Sequence, residues 1–225
     1  MTNSDAVAIL GGTGALGFGL AKRLAHAGVP VVIGSRDAGR AAEAAERLRA
    51  DVPTADVSGL SNADAVGAVG RLVVLAVPLS SQVDTLKSVA EHLTEGQIVL
   101  DTTVPLAPVV GGRPTQIVGL WAGSAAQQAA ANVPAGVTVV SGLHTLPASS
   151  LEDLSVDLAQ STLICGDRKA DKEFVSEILG RIDGLHVVDA GRLETSRLVE
   201  GITPVLIGIN IRYKTHAGVS ITGVP

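Results

Sequence analysis

The chain has 225 residues, a formal net charge of −5, 46% hydrophobic residues and only 2% aromatics. That length suits one large α/β domain, or one with a small appendage. The acidic balance argues against a nucleic-acid binder, which would carry a basic stripe, and the core must be built from Ala, Val, Leu and Ile, as in parallel strands covered by helices on both faces.

The first residues, Met1-Thr-Asn-Ser-Asp5, are polar and contain no basic n-region, apolar h-region or cleavage site. Ala6–Leu10 is a buried strand, Gly11-Gly-Thr-Gly14 the turn after it, and residues 15–27 an amphipathic helix with Leu16, Leu20, Leu24 and Ala27 on one face. Gly28 ends that helix. Val31–Ile33 is the second strand and residues 37–50 an Ala-rich helix. The pattern repeats with a weak strand at 57–60, a short helix at 62–68, a strong strand at 72–77, a helix at 81–94 and a strand at 97–101. Such alternation marks a Rossmann-type doubly wound, mainly parallel sheet. Residues 102–120 are rich in Pro and Gly, and a loop of that length is functional or mobile. Then come a helix at 122–132, strands at 137–140 and 162–165, a helix at 169–181 and a short strand at 186–189. A long apolar helix at 193–212 is interrupted by Pro204, and a tail runs over 213–225. The single cysteine, Cys165, excludes an intramolecular disulfide and is expected as a buried small hydrophobe. The longest apolar stretches fall below the roughly 18 residues that suggest a membrane span, so a cytoplasmic protein with no membrane segment is expected. Residues 1–141 form the dinucleotide-binding domain in this reading. Residues 142–225 form a smaller C-terminal α/β part that is not independent.

Gly12-Thr13-Gly14-Ala15-Leu16-Gly17 is G-x-G-x-x-G. Alone it is a weak signal, but here it follows a buried strand and opens an amphipathic helix, the context dinucleotide binding requires. Gly12 permits the tight turn, Gly14 lets backbone approach a pyrophosphate, and Gly17 lets helix pack on strand. The end of the second strand selects the cofactor. An NAD site places Asp or Glu there, whereas this chain has Gly34-Ser35-Arg36. A hydroxyl and a guanidinium suit a 2′-phosphate, so NADP(H) is expected, with Thr13 and Arg40 assisting. Asp37 comes later and starts the next helix.

No catalytic dyad is legible. The only tyrosine, Tyr213, has Ala217 four residues on, which excludes a Tyr-x-x-x-Lys reductase. The five histidines are scattered, with no metal-ligand spacing, so no metal is expected. His144, in the loop after a strand, is weighed as a site residue against a histidine bonding backbone. Asp101, at a strand end, is weighed as a capping residue. The apolar run 198–211 has no second domain to cover it and predicts a homodimer through a symmetric interface.

Several segments together resemble the NADP-dependent coenzyme F-420 reductase family. They are Leu10-Gly-Gly-Thr-Gly14, Ile33-Gly-Ser-Arg36, Leu75-Ala-Val-Pro78, Gly142-Leu-His-Thr-Leu-Pro147, Cys165-Gly-Asp167, Ile182-Asp-Gly-Leu185 and Asp189-Ala-Gly191. Ser196-Arg-Leu-Val-Glu200, Thr203-Pro204 and Ile221-Thr-Gly223 complete the set, which runs in order over nearly the whole chain. The resemblance implies direct hydride transfer between NADP(H) and the deazaflavin coenzyme F-420 in a cleft at the strand C-termini, the C-terminal part forming the deazaflavin side. By that resemblance Thr13, Ser35, Arg36 and Arg40 match 2′-phosphate positions, and Val77 and Pro78 the loop by the nicotinamide ribose. Val104, Pro105, His144, Ser196 and Thr203 match residues lining the cofactor and deazaflavin site. The loop at 102–120 departs from the family. Hydride passes between ring carbons, so no obligatory catalytic side chain is expected and positioning is the protein's contribution. The alternatives are an NADPH-dependent imine or ketone reductase, with His144 as proton donor, and a non-enzymatic NADPH-responsive regulator.

Overall fold

The computed structural model describes residues 5–224; the polar start at residues 1–4 and Pro225 lie outside the described residues. The elements are β1 (Val7–Leu10), α1 (Ala15–His26), β2 (Val31–Ser35), α2 (Ala38–Asp51), β3 (Val57–Ser61), α3 (Asn62–Ala68), β4 (Leu72–Leu75), α4 (Leu79–Val89) and β5 (Ile98–Asp101). They continue as α5 (Ala125–Ala130), β6 (Thr138–Ser141), α6 (Ala148–Glu152), β7 (Gln160–Gly166), α7 (Lys169–Leu179), β8 (Leu185–Asp189), α8 (Ser196–Glu200) and α9 (Ile202–Tyr213). The strands form one eight-stranded sheet in the order β3-β2-β1-β4-β5-β6-β7-β8. All pairs are parallel except β6 with β7. The expected mainly parallel, doubly wound α/β sheet is therefore the fold.

Successive side chains of a strand point to opposite faces, and β1 shows both faces covered. Val7 and Ile9 join a core with Phe18, Leu20 and Leu24 of α1, Leu48 of α2 and Val175 of α7. Ala8 and Leu10 join a second core with Val66 of α3, Leu86 of α4 and Ala126 of α5. With both faces dry, the strands read as unbroken apolar runs. Cys165 is buried in β7, as expected.

Several boundaries differ from the sequence expectation for identifiable reasons. The helix expected at 81–94 ends at Val89. Beyond it Gln97 accepts a hydrogen bond from Thr94 N–H and donates to the carbonyls of Val66 and Val69. Its side chain closes the turn that a longer helix would have filled. The helix expected at 122–132 shortens to α5, because Ser124 Oγ caps it by accepting from Gln127 N–H. The long C-terminal helix breaks at Gly201, between α8 and α9, and not at Pro204. Pro204 lies in the first turn of α9, where its missing N–H has no intrahelical acceptor to lose. The 102–120 loop is ordered by its own hydrogen bonds, Ala107 N–H to Gln116 O and Val118 N–H to Pro105 O. The sequence reading contained no α6. That helix is held on α1 by the buried Arg23, which donates to the carbonyls of Ser150, Leu151, Asp153 and Val156.

Candidate functional site

The C-terminal ends of β1, β2 and β4 open into a cleft of about 430 Å³. Its lining brings together Thr13, Gly14, Ser35, Arg36, Arg40, Val77 and Pro78 from the sequence reading, and adds Gly11, Asp37, Asn62, Ala76, Ser81 and Thr85. The turn after β1 shapes its floor. Gly11 has φ +77°, and a Cβ there would lie 2.4 Å from Ala76 O, so only glycine fits. A Cβ on Gly17 would lie 2.6 Å from Gly11 O, which explains that glycine as the close contact of helix on turn. Gly12 is buried behind this turn and donates its N–H to Ile9 O and Gly34 O. The first-turn amides at Ala15, Leu16 and Gly17 have no intrahelical acceptor. No side chain caps α1 and no acid stands in its first turn, so its N-terminus is free to hold an anion.

At the end of β2 the Ser35 side chain is nearly buried, while Arg36 and Arg40 are exposed. Neither guanidinium forms an ion pair with a described residue. Asp37, the first acid after the strand, is engaged as the cap of α2, its Oδ1 accepting from Gly39 N–H and Arg40 N–H. The carboxylate that would bind a ribose 2′-hydroxyl is thus absent from the strand end. Two unpaired cations face the cleft beside a hydroxyl.

Across the sheet, Val104 is half-buried and Pro105 buried in the segment after β5. His144 follows β6 and Leu143, whose φ is +67°. The His144 ring is buried, and neither nitrogen has a hydrogen-bond partner among the described residues. The backbone-bonding role weighed for the ring is therefore not what it does; the residue's contact is through its main-chain carbonyl, which accepts from Thr203 Oγ1 at 2.9 Å. Burial pushes its pKa down to about 4, so the imidazole is neutral at pH 7. His144 and Thr203 share a small cavity of about 100 Å³ with Pro147, Leu206, Ile207 and Asn210. Ser196 is fully buried at the start of α8, its hydroxyl 2.8 Å from that of Ser141 at the end of β6. It meets the strand ends at Ser141 and at Cys165 of β7.

The sequence reading missed a buried polar network at the same edge of the sheet. Asp101, at the end of β5, accepts from Thr103 Oγ1 at 2.7 Å and from Gln82 Nε2 at 3.0 Å. Burial pushes its pKa up to about 6. Glu200, at the end of α8, accepts from the amides of Ala125 and Ala126 at 2.9 and 3.1 Å, and burial raises it to about 7. Asn62 was missed as well; the available signal was its place directly after a strand, at the edge where such sheets bind ligands.

Residues 6–105 match the model of a family described as NADP oxidoreductase, coenzyme F420-dependent. The F420-dependent NADP reductase of Methanothermobacter marburgensis is 40% identical over 223 residues, covering 97% of this chain and 99% of its own length. That of Methanocaldococcus jannaschii is also 40% identical over 223 residues, covering 97% of this chain and 98% of its own. A crystal structure from Arthrobacter sp. FB24, assigned as an F420-dependent NADP reductase, has 28% identity and a TM-score of 0.80. It covers 96% of this chain and 99% of its own. Near-complete coverage of curated relatives at this identity, together with a cleft built for a phosphorylated dinucleotide, establishes that the chain belongs to the F420-dependent NADP reductase family.

Proposed function

We infer that the chain is an oxidoreductase that passes a hydride directly between NADP(H) and coenzyme F-420, the pair of molecules its curated relatives are named for. The observation that carries the NADP(H) half is the end of β2 and the start of α2, where Ser35, Arg36 and Arg40 face the cleft and the one acid beside them, Asp37, is taken up in capping α2. In this reading the free amides of α1 hold the pyrophosphate, and Thr13, Ser35, Arg36 and Arg40 hold the 2′-phosphate. Val77, Pro78, Val104 and Pro105 offer aliphatic surface to the two rings, His144 and Thr203 shape the far wall, and Ser196 supports it from behind. Residues 142–225 extend the dinucleotide-binding part at 1–141 and supply the deazaflavin side of the cleft. When bound, the two rings provide both the carbon that gives the hydride and the carbon that takes it. The protein's task is orientation and exclusion of water. Purified protein mixed with NADPH and oxidised coenzyme F-420 is expected to bleach the deazaflavin's visible absorbance, and absence of that change would remove this reading.

A buried, neutral His144 is a poor general acid, because an efficient one has a pKa near the working pH. His144→Ala is therefore expected to slow hydride transfer by less than roughly 10²-fold, below the upper part of the range a general acid supplies. Single-turnover stopped flow with both molecules saturating measures this. A larger loss with an intact circular dichroism spectrum would make His144 a proton donor and favour imine or ketone reduction.

The second expected feature is a homodimer. In α9 only Pro204 and Leu206 are buried, while Val205 is 60% and Ile211 65% exposed, as is Leu198 of α8 at 65%. Those apolar side chains suit a twofold interface that pairs the same surface on both subunits. Light scattering at micromolar concentration is expected to give twice the chain mass, and a monomer mass would count against the interface. The expected compartment is the cytoplasm; among the described residues no helix is long and apolar enough to cross a membrane.

A further inference from the structure

Asp101 is placed where the Val77–Pro78 loop, which lines the cleft, meets the segment after β5. It ends β5, in register with Leu75 of β4 and Ser141 of β6, and it has no exposed surface. Three donors converge on its carboxylate. Thr103 gives its N–H and its hydroxyl to Oδ1, at 3.4 and 2.7 Å, and Gln82 gives Nε2–H to Oδ2 at 3.0 Å. Gln82, itself fully buried on α4, cannot turn its amide over. Its second Nε2–H goes to Ala125 O at 3.0 Å, and its Oε1 accepts from Gln128 Nε2 at 2.8 Å. The group at position 101 must therefore accept on both sides, and a carboxylate does so where an asparagine would turn a donor against a donor. Burying a carboxylate without a cation is costly, and no cation among the described residues pairs with this one. The charged group that bears on it is another acid, Glu200 of α8. Leu75, Ser141, Gln82 and Ala125, from the other elements packed around it, are uncharged.

Those contacts tie two segments together. Gln82 lies one turn into α4, directly after Val77 and Pro78, and Thr103 directly precedes Val104 and Pro105. The Thr103 hydroxyl also stands 3.4 Å from Val77 O. We propose that Asp101 is a positioning residue for hydride transfer, holding the Val77–Pro78 and Val104–Pro105 loops at one spacing and so setting how closely the two reacting carbons approach. The proposal rests on the reading that these loops border the nicotinamide. Misplacement by about 1 Å at such a site costs on the order of 10²-fold in rate.

The test is single-turnover hydride transfer from NADPH to coenzyme F-420, both saturating, beside the Kd for NADP+. Asp101→Asn is expected to lower the hydride rate by roughly 30- to 100-fold, while the Kd, set mainly by the pyrophosphate and 2′-phosphate contacts, changes by less than about threefold. The double variant Asp101→Asn with Gln82→Glu moves the carboxylate across the same hydrogen bond. It restores acceptor against donor at position 101 but sets a second acceptor against Ala125 O, so its rate is expected to recover only in part, to within about tenfold of wild type. A residue that merely stabilised the fold would show no such rescue, and its affinity for NADP+ would fall together with its rate. If Asp101→Asn does not fold, Thr103→Val deletes the hydroxyl link alone and is expected to slow transfer by roughly tenfold. Wild type that transfers no hydride removes the functional reading itself. Wild type that turns over, with Asp101→Asn or Thr103→Val within about threefold of it or with no rescue by Gln82→Glu, overturns the positioning role of Asp101.

Discussion

An Arg36→Glu protein is expected to bind NADP+ about 1.5–3 kcal/mol more weakly than wild type, the worth of a hydrogen bond to a charged group, with added loss where the new carboxylate repels the 2′-phosphate. The position makes the effect large. Arg36 follows the last residue of β2 directly, lines the cleft, and has no acidic partner among the described residues to satisfy it. Its charge is therefore available to the ligand. Arg40, one turn into α2, offers a second cation, so the loss stops short of abolishing the site. NAD+, which lacks the 2′-phosphate, should lose much less and can gain, because a glutamate there accepts a hydrogen bond from the ribose hydroxyl. Calorimetric titration of both proteins with both nucleotides gives the comparison. Equal affinity of wild type for NADP+ and NAD+ would remove the role assigned to Ser35 and Arg36.

The two ends of the cleft differed in how legible they were. The NADP(H) end is written in contiguous residues. Gly11 to Gly17 and Gly34 to Arg36 sit at the ends of apolar strands, so spacing pointed to the turn and to the Ser35-Arg36 pair that line the cleft. Strands β1, β2, β4 and β5 were legible for the same reason, while β3, Val57-Ser-Gly-Leu-Ser61, left only a weak trace. Strand β7 was harder. Its Ser161 and Thr162 are fully buried polar residues, satisfied by segments distant in sequence. Ser161 Oγ accepts from Ile221 N–H, and Thr162 Oγ1 accepts from Leu143 N–H. Its antiparallel pairing with β6 left no periodic trace either. The Asp101 network was invisible because its contacts join residues 19 and 46 positions apart, and Glu200 reaches across 75 positions to Ala125. No local spacing rule connects such pairs. The break at Gly201 was missed because Pro204 is the stronger local signal, although proline is harmless in a first helical turn.

Three buried groups make stability depend on pH in opposing directions. Asp101 titrates at about 6 in the folded chain against an ordinary 3.8, and Glu200 at about 7 against 4.5. Raised values mean that the folded state holds protons the unfolded state has released. Each group's contribution is present in full below its ordinary value and is lost as pH rises through its folded one, on the order of 3 kcal/mol apiece. His144 has the opposite sign. Its value falls from 6.5 to about 4, so its contribution, also about 3 kcal/mol, is present above pH 6.5 and lost as pH falls through 4. Between pH 4 and 6.5 the His144 gain offsets one carboxylate's loss. These groups together are expected to lower wild-type stability by about 2 kcal/mol from pH 4.5 to 7.5. His144→Leu puts an apolar side chain in the pocket and removes the rising arm, so the same pH range should then cost about 5 kcal/mol. Urea unfolding at a series of pH values reads both slopes. If the wild type and His144→Leu run parallel, the imidazole is not held neutral by burial. If wild type instead gains stability toward pH 7.5, the two carboxylates are not held protonated in the fold.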